Sequence, residues 1–376
     1  MRTVFFMFLF VPLISCAGGT SYEVESVSID EKKNQWFMPQ DEGWLAGDVA
    51  HSIQLDSNRI LWIFGDTWPG TFSGGVLKPD PLYVHNSIAI QYIDKGSEGR
   101  IEFIFGKVEE GKSFFPQKEN MPGKYLWPTN GLILNNELYI FCQAVSHDET
   151  GWFGIAGTVI VRVQNFQQHP TKWNKEYYDF QTPAWENNTL QVQYHSAIYK
   201  QDEFIYFMGF KAVGNVAKKK AIISRIDTLT FLKTKSSLYL EHFIGGNPNG
   251  TNWSNNFKDA IVLFEPGNTE SNIQYIPEWG LFVTTTYSAV NNKILLTHAN
   301  DLTGPWSKPK IIYENPIINC PEKVCIETYA VRCHPEFSSN AGEIIISFIT
   351  SYTGEYKDAP IESYRPRFIR LLLSKK

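Results

Sequence analysis

Gly47 to Trp68 reads GDVAHSIQLDSNRILWIFGDTW, with apolar runs on either side of Asp56-Ser57-Asn58. Asp, Ser and Asn are turn formers, and the β-branched and aromatic residues flanking them favour strands, so the stretch predicts a β-hairpin. Antiparallel pairing about Ser57 sets equidistant residues opposite each other, and Asp48 and Asp66 are equidistant from it. Opposed residues on one face have Cβ atoms about 4.5–5.5 Å apart, where like charges destabilise the sheet. One reading is an acid/base or nucleophile pair whose mutual repulsion separates the two pKa values. The other is a register shifted by a residue or two, with Asp66 capping a turn and Asp48 binding backbone amides.

The hairpin is not solitary. Trp127 to Gln143, Tyr194 to Gly209, Gln274 to Tyr287 and Cys333 to Ser351 repeat its pattern: a polar or aromatic residue, a short strand, a turn, then a strongly apolar strand. The second strands read LWIFGD, LYIFCQ, IYFMGF, LFVTTTY and IIISFIT, starting at Leu61, Leu138, Ile205, Leu281 and Ile344. Recurrence at roughly the length of one four-stranded blade indicates radial repetition. The 27 glycines and 20 prolines suit short strands with frequent turns. No stretch carries sustained helical periodicity. The expected fold is all-β, a single-domain five-bladed β-propeller over residues 22–376. Tyr22 to Ile29 alternates as a strand and Arg367 to Leu373 is the last one. The two ends of the chain are therefore expected to complete one blade and cover a sheet edge.

A length of 376 residues suits one propeller as well as two or three average domains. Hydrophobic content of 43% and charged content of 19% describe an ordinary core and exclude disorder. A formal charge of -5 with no basic stripe excludes nucleic acid as a partner. Residues 1–16 hold Arg2, the apolar run Val4 to Ile14, and Leu13-Ile14-Ser15-Cys16, which resembles a bacterial lipobox. Cys16 then becomes the lipid-bearing N-terminus, residues 17–21 form a tether, and the protein is exported and anchored to the cell envelope. An ordinary cleaved secretory signal is the alternative. The apolar run is too short to span a bilayer, and no other segment is long enough. Cys320 and Cys325 frame a short loop that an oxidising exterior would close, while Cys142 sits in an apolar strand. No zinc-type spacing, phosphate loop, GxSxG elbow or HExxH occurs, so neither metal nor cofactor is expected. Carboxylate-based hydrolysis is favoured by elimination.

In propellers the first strand of each blade lines the central channel. The repeat places Asp48, Trp127 or Thr129, Tyr194 or His195, Gln274 and His334 there, polar where a buried strand is apolar. A funnel lined with acid, imidazole and amide groups is a ligand site. Trp44, Trp68 and Trp127 are candidate platforms for a sugar face, or ordinary core aromatics. Asn86 begins the third strand of the first blade and holds a carboxylate or a substrate hydroxyl, or stabilises a turn. His195 in YHSAIY and His334 in RCHPEF donate to sugar hydroxyls, or bridge blades as satisfied histidines. Glu336 is the reserve carboxylate, or pairs with Arg332. Glycoside hydrolysis asks for carboxyl groups about 5–5.5 Å apart for retention or about 6.5–9.5 Å for inversion. Opposed aspartates match the shorter distance and favour retention.

Gly47-Asp48-Val49, Leu61-Trp62-Ile63-Phe64-Gly65-Asp66-Thr67-Trp68 and His85-Asn86-Ser87 resemble the signature of bacterial five-bladed propellers grouped as domains of unknown function 4185 and 5005. Trp127-Pro128 with Gly131, Leu302-Thr303-Gly304-Pro305-Trp306 and His334-Pro335-Glu336-Phe337 extend the resemblance, which covers Trp44 to Leu373. Some members of that group are endo-acting D-arabinanases that cleave arabinan with an aspartate pair. The resemblance implies that Asp48 and Asp66 are that pair, that the substrate is a polysaccharide with furanosidic sugars, and that no cofactor is used. A surface lipoprotein that binds glycan or protein through the same funnel without catalysis is the alternative.

Overall fold

The hairpin about Ser57 forms in the expected register. Its strands, His51–Asp56 and Arg59–Phe64, pair His51 with Ile63, Ser52 with Trp62, Ile53 with Leu61 and Gln54 with Ile60, each pair symmetric about Ser57. The computed structural model describes residues 22–375 except 95–96, 108–111, 148–152, 185–189, 214–217, 248–249, 289–291, 317–324 and 353–359. The leader, Cys16 and the tether therefore lie outside the described residues, as does Cys320, whose expected closure with Cys325 lies there too.

The chain is all-β, with five antiparallel sheets of four or five strands each and one of three. The first large sheet orders His51–Asp56, Arg59–Phe64, Ser87–Asp94 and Ser97–Ile104; the second orders Tyr125–Leu134, Glu137–His147, Phe153–Val163 and Lys175–Asp179. The third runs from Leu190–Gln201 through Phe204–Val213, Lys220–Asp227 and Glu241–Asn247 to Gly250–Ser254. Ile273–Ile276, Leu281–Ser288, Lys293–Ala299 and Lys310–Glu314 make the fourth, and Cys325–Cys333, Glu343–Tyr352 and Arg367–Lys375 the fifth. Tyr22–Ile29 pairs antiparallel with Arg367–Lys375, so the two ends of the chain share the fifth sheet and the last strand's free edge is covered. Four of the five repeats found in the sequence supply the first two strands of one sheet; the fifth supplies only the second, because the first strand of that sheet ends at Cys333, and His334, expected on it, follows it. The apolar run of each repeat is the second strand, which is buried on both faces because a neighbouring sheet packs on each side.

Those packings are five apolar clusters. Ile53, Leu61 and Ile88 meet Leu126, Leu138 and Ile140 between the first and second sheets. Phe141 and Ile160 meet Phe207 and Ile222 between the second and third. Met208 and Ile223 meet Ile273 and Phe282 between the third and fourth, and Leu281 and Val283 meet Ile344 and Ile346 between the fourth and fifth. Trp62 and Phe64 of the first sheet meet Ile345 and Phe368 of the fifth, which brings the series back to its start.

Polar residues on or beside the first two strands fasten the sheets to one another. Asn130 Nδ2 donates to Ser196 O at 3.2 Å, Asn272 Nδ2 donates to Cys333 O at 3.0 Å, and Thr285 Oγ1 donates to Val331 O at 3.2 Å. Side chains satisfy backbone groups that the first strand of a neighbouring sheet leaves free, as burial demands.

Candidate active site

Symmetry about Ser57 continues past the hairpin onto the three-stranded sheet, where Gly47 of Glu42–Gly47 pairs with Thr67 of Thr67–Ser73. Asp48 and Asp66 fall at this junction and face each other, with Asp48 N–H donating to Asp66 O at 3.3 Å and Gly65 N–H to Asp48 O at 3.2 Å. The expectation that Asp48 lies on a channel-lining strand is corrected. Val49 and Ala50 have φ of 67° and 48°, and this left-handed turn ends pairing before His51. Gly65 is required beside Asp66, because a Cβ there would collide with Asp48 Oδ1.

The two carboxylates have unlike surroundings. Asp48 Oδ2 accepts from the hydroxyls of Tyr329 and Tyr364, each at 3.0 Å, while Oδ1 is buried without a hydrogen-bond partner. Burial, followed by the charges of Asp66 and Glu270, pushes the Asp48 carboxyl up to about 8. At neutral pH it is protonated, and Oδ1 is the oxygen left to carry the proton. The Asp66 side chain is 22% exposed. Its Oδ1 accepts from Trp127 Nε1 at 2.8 Å and from His85 Nδ1 at 3.0 Å. The His85 ring lies flat on Tyr125, centroids 3.6 Å apart, and Tyr125 meets Trp127 edge-on. Tyr83, itself exposed, stacks near Trp68 and His85, so an aromatic wall runs outward from Asp66. Two carboxyl groups on facing backbone beside aromatic rings, one of them with a raised pKa, suit a division into proton donor and nucleophile or base.

Of the residues expected from sequence, Asp48, Asp66 and Trp127 come together. Trp44 is fully buried in the core. Asn86, His195 and His334 do not join the site. Asn86 is fully buried; its Nδ2 donates to Phe115 O and Leu126 O at 3.1 and 2.8 Å, and its Oδ1 accepts from Phe115 N–H at 2.7 Å. It ties the first sheet to the second. Asn86→Ala strands these three backbone groups and is expected to cost about 3 kcal/mol, measured by urea unfolding, with the folded baseline intact. Unchanged stability would remove the clamp.

His195 is fully buried between Thr129 Oγ1 at 2.8 Å and Thr158 Oγ1 at 3.0 Å. Thr129 also donates to Phe141 O, so it accepts from Nδ1–H, and Thr158 donates to Nε2. His334 is held the same way by Ser52 at 2.6 Å and Ser347 at 2.7 Å. Burial drives both imidazoles down to about 3, so both are neutral and both ring nitrogens are occupied. Glu336 lies in the seam with Ser52 and His334, Oε1 3.9 Å from Nδ1, and burial pushes it up to about 7. Arg332 does not pair with it and bonds backbone carbonyls instead.

Tyr329, Tyr364 and Glu270 were not legible in the sequence. Tyr329 sits in Cys325–Cys333 at a register shift with Ala330 at φ 50°, a bulge of the kind that re-aims side chains. Tyr364 has φ 57° and is fixed by its own N–H to Thr350 O at 2.9 Å and its carbonyl to Gly47 N at 3.0 Å. A bulky residue in that region marks a site under constraint. Among the described residues no cluster of three or more His, Cys, Asp or Glu is arranged to hold a metal, and no helix is long and apolar enough to cross a membrane.

Residues 30–373 match the family described as Domain of unknown function (DUF5005), and the chain belongs to that family. It shares its fold with a candidate hydrolase from Bacteroides ovatus, at 17% identity and a TM-score of 0.71, covering 92% of this chain and 90% of that one. Weaker likenesses are to CoXyl43, a GH43 β-xylosidase/α-arabinofuranosidase from a compost microbial metagenome (9% identity, TM-score 0.46, 90% and 93% covered), and to the GH62 α-L-arabinofuranosidase catalytic domain of Coprinopsis cinerea (8%, 0.43, 90% and 98%). No curated protein matches the sequence.

Proposed function

We propose that the protein is an exported glycoside hydrolase, a five-bladed β-propeller that acts on a polysaccharide, with arabinan-like furanosides the first class to try. The observation that carries the reading is the pairing of two facing aspartates in opposite environments. The Asp48 carboxyl is pushed up to about 8, with Oδ1 buried and unpartnered, whereas Asp66 Oδ1 accepts from Trp127 Nε1 and His85 Nδ1. Asp48 is then the acid that protonates the departing glycosidic oxygen. Asp66 attacks the anomeric carbon or activates the water that does, and the short separation expected of facing residues favours attack and retention. Trp127, Tyr83 and Trp68 offer ring faces on which a sugar stacks.

The five sheets and their serial packing support the propeller, and the fold shared with a candidate hydrolase agrees with hydrolysis. Cys16 is the proposed lipid anchor, holding the propeller to the envelope where polysaccharide is met. The test is release of reducing ends from a panel of arabinans, xylans and other glycans by purified protein, with Asp48→Asn and Asp66→Asn alongside. Hydrolysis that both substitutions abolish supports the reading. No hydrolysis of any glycan, or activity surviving both substitutions, overturns it.

A further inference from the structure

We propose that Glu270 is a third carboxylate of the Asp48 and Asp66 site, and that Arg332 is the positioning residue that holds Glu270 and Asp48 in fixed relation. For its chemistry the inference rests on the hydrolase reading.

Arg332 is fully buried, on the strand Cys325–Cys333. Its Nε donates to Val49 O at 3.2 Å and its Nη1 to Ser271 O at 2.9 Å. Val49 follows Asp48, and Ser271 follows Glu270, so one planar group grips the residue after each carboxylate. The grip is rigid at both ends. Val49 and Ala50 occupy the left-handed turn, while Ser271 donates its N–H to Ser196 O at 2.9 Å and its hydroxyl to Thr285 O at 2.8 Å. Two carbonyls held by one fork need the fixed geometry of a guanidinium, which the single ammonium of lysine cannot reproduce.

The charge of the brace follows the same logic. A buried guanidinium is costly unless anions lie near it. Burial draws Arg332 down to about 10, and the charge of Glu270 opposes that shift. Nη2 is buried with no partner, so the fork is not neutralised by direct contact with either carboxylate. Glu270 is partly exposed, accepts from the Thr269 hydroxyl, and acts electrostatically on Asp48, Tyr287 and Tyr329 as well as Arg332. The groups facing Asp48 are thus Asp66 beyond the second strand of the first sheet, Tyr329 and Arg332 from the fifth, Tyr364 before its last strand, and Glu270 before the fourth. Glu270 joins Asp66 in opposing ionisation of Asp48. It therefore helps keep the acid loaded.

The test is a carbon NMR titration of the full chain labelled at the aspartate carboxyl carbon, with the Asp48 signal identified by its loss in Asp48→Asn. Glu270→Gln is expected to lower the Asp48 midpoint by about one pH unit, and Glu270→Asp to keep most of the original value. In an Arg332→Lys background the same Glu270→Gln step is expected to move the midpoint less, because the brace that fixes the separation is gone. An unchanged midpoint in Glu270→Gln removes Glu270 from the site, and an undiminished shift in the Arg332→Lys background removes the brace. The titration uses no substrate, so its failure is separate from a failure to hydrolyse any glycan.

Discussion

Asp66→Asn is expected to lower the rate of glycan hydrolysis by about 10²–10⁴-fold while leaving the fold unchanged. The amide has the shape of the carboxylate and keeps an oxygen for Trp127 Nε1 and His85, so the aromatic wall stays in place. What is lost is the anion, which no amide can supply to an anomeric centre. Asp48→Asn is expected to act differently. It removes a proton donor, so hydrolysis of natural glycans falls by a similar factor, whereas aryl glycosides with good leaving groups lose far less because their departing oxygen needs no proton. The check is kcat on a polysaccharide and on an activated aryl glycoside for both variants, beside unchanged thermal melting. Equal losses on both substrates in Asp48→Asn would remove its role as acid.

The second large effect is on stability and needs no substrate. A carboxyl that titrates near 8 when folded and near 4 when unfolded holds its proton in the native state throughout that window. The folded chain then binds more protons than the unfolded one, so stability falls as pH rises from about 4 to about 8 and is flat above. One such group contributes a slope of about 1.4 kcal/mol per pH unit at most. Asp48→Asn carries no such group. Relative to wild type it is expected to gain a few kcal/mol between pH 5 and pH 9 in urea unfolding. Parallel stability curves for the two proteins across that range would show that Asp48 is not a protonated buried acid. This buried carboxyl also offers a physical reason for the Gly65-Asp66 sequence: the glycine leaves the room in which Asp48 Oδ1 sits.

Much of the architecture was written locally. A turn-forming triplet between two β-favouring runs fixes a register, and the observed pairs are symmetric about Ser57 as far out as Gly47 and Thr67. The opposition of Asp48 and Asp66 follows from that register. Repetition of the pattern located the second strand of all five large sheets, because strands buried on both faces must be apolar along their whole length. Polarity at and beside the strands was legible but ambiguous. Asn86, His195 and His334 have the composition of a ligand site, yet their partners are Phe115 and Leu126, Thr129 and Thr158, and Ser52 and Ser347, so they satisfy buried groups between sheets.

The state of the acid was decided elsewhere. Tyr329 and Tyr364 reach Asp48 across 281 and 316 residues of chain, Arg332 comes from the strand that carries Tyr329, and Glu270 precedes the fourth sheet. A residue's identity and its strand register are set by near neighbours along the chain, and the sequence carries both. Whether a carboxyl keeps its proton depends on desolvation and on charges close in space, and only the packing of strands distant in sequence brings those to Asp48.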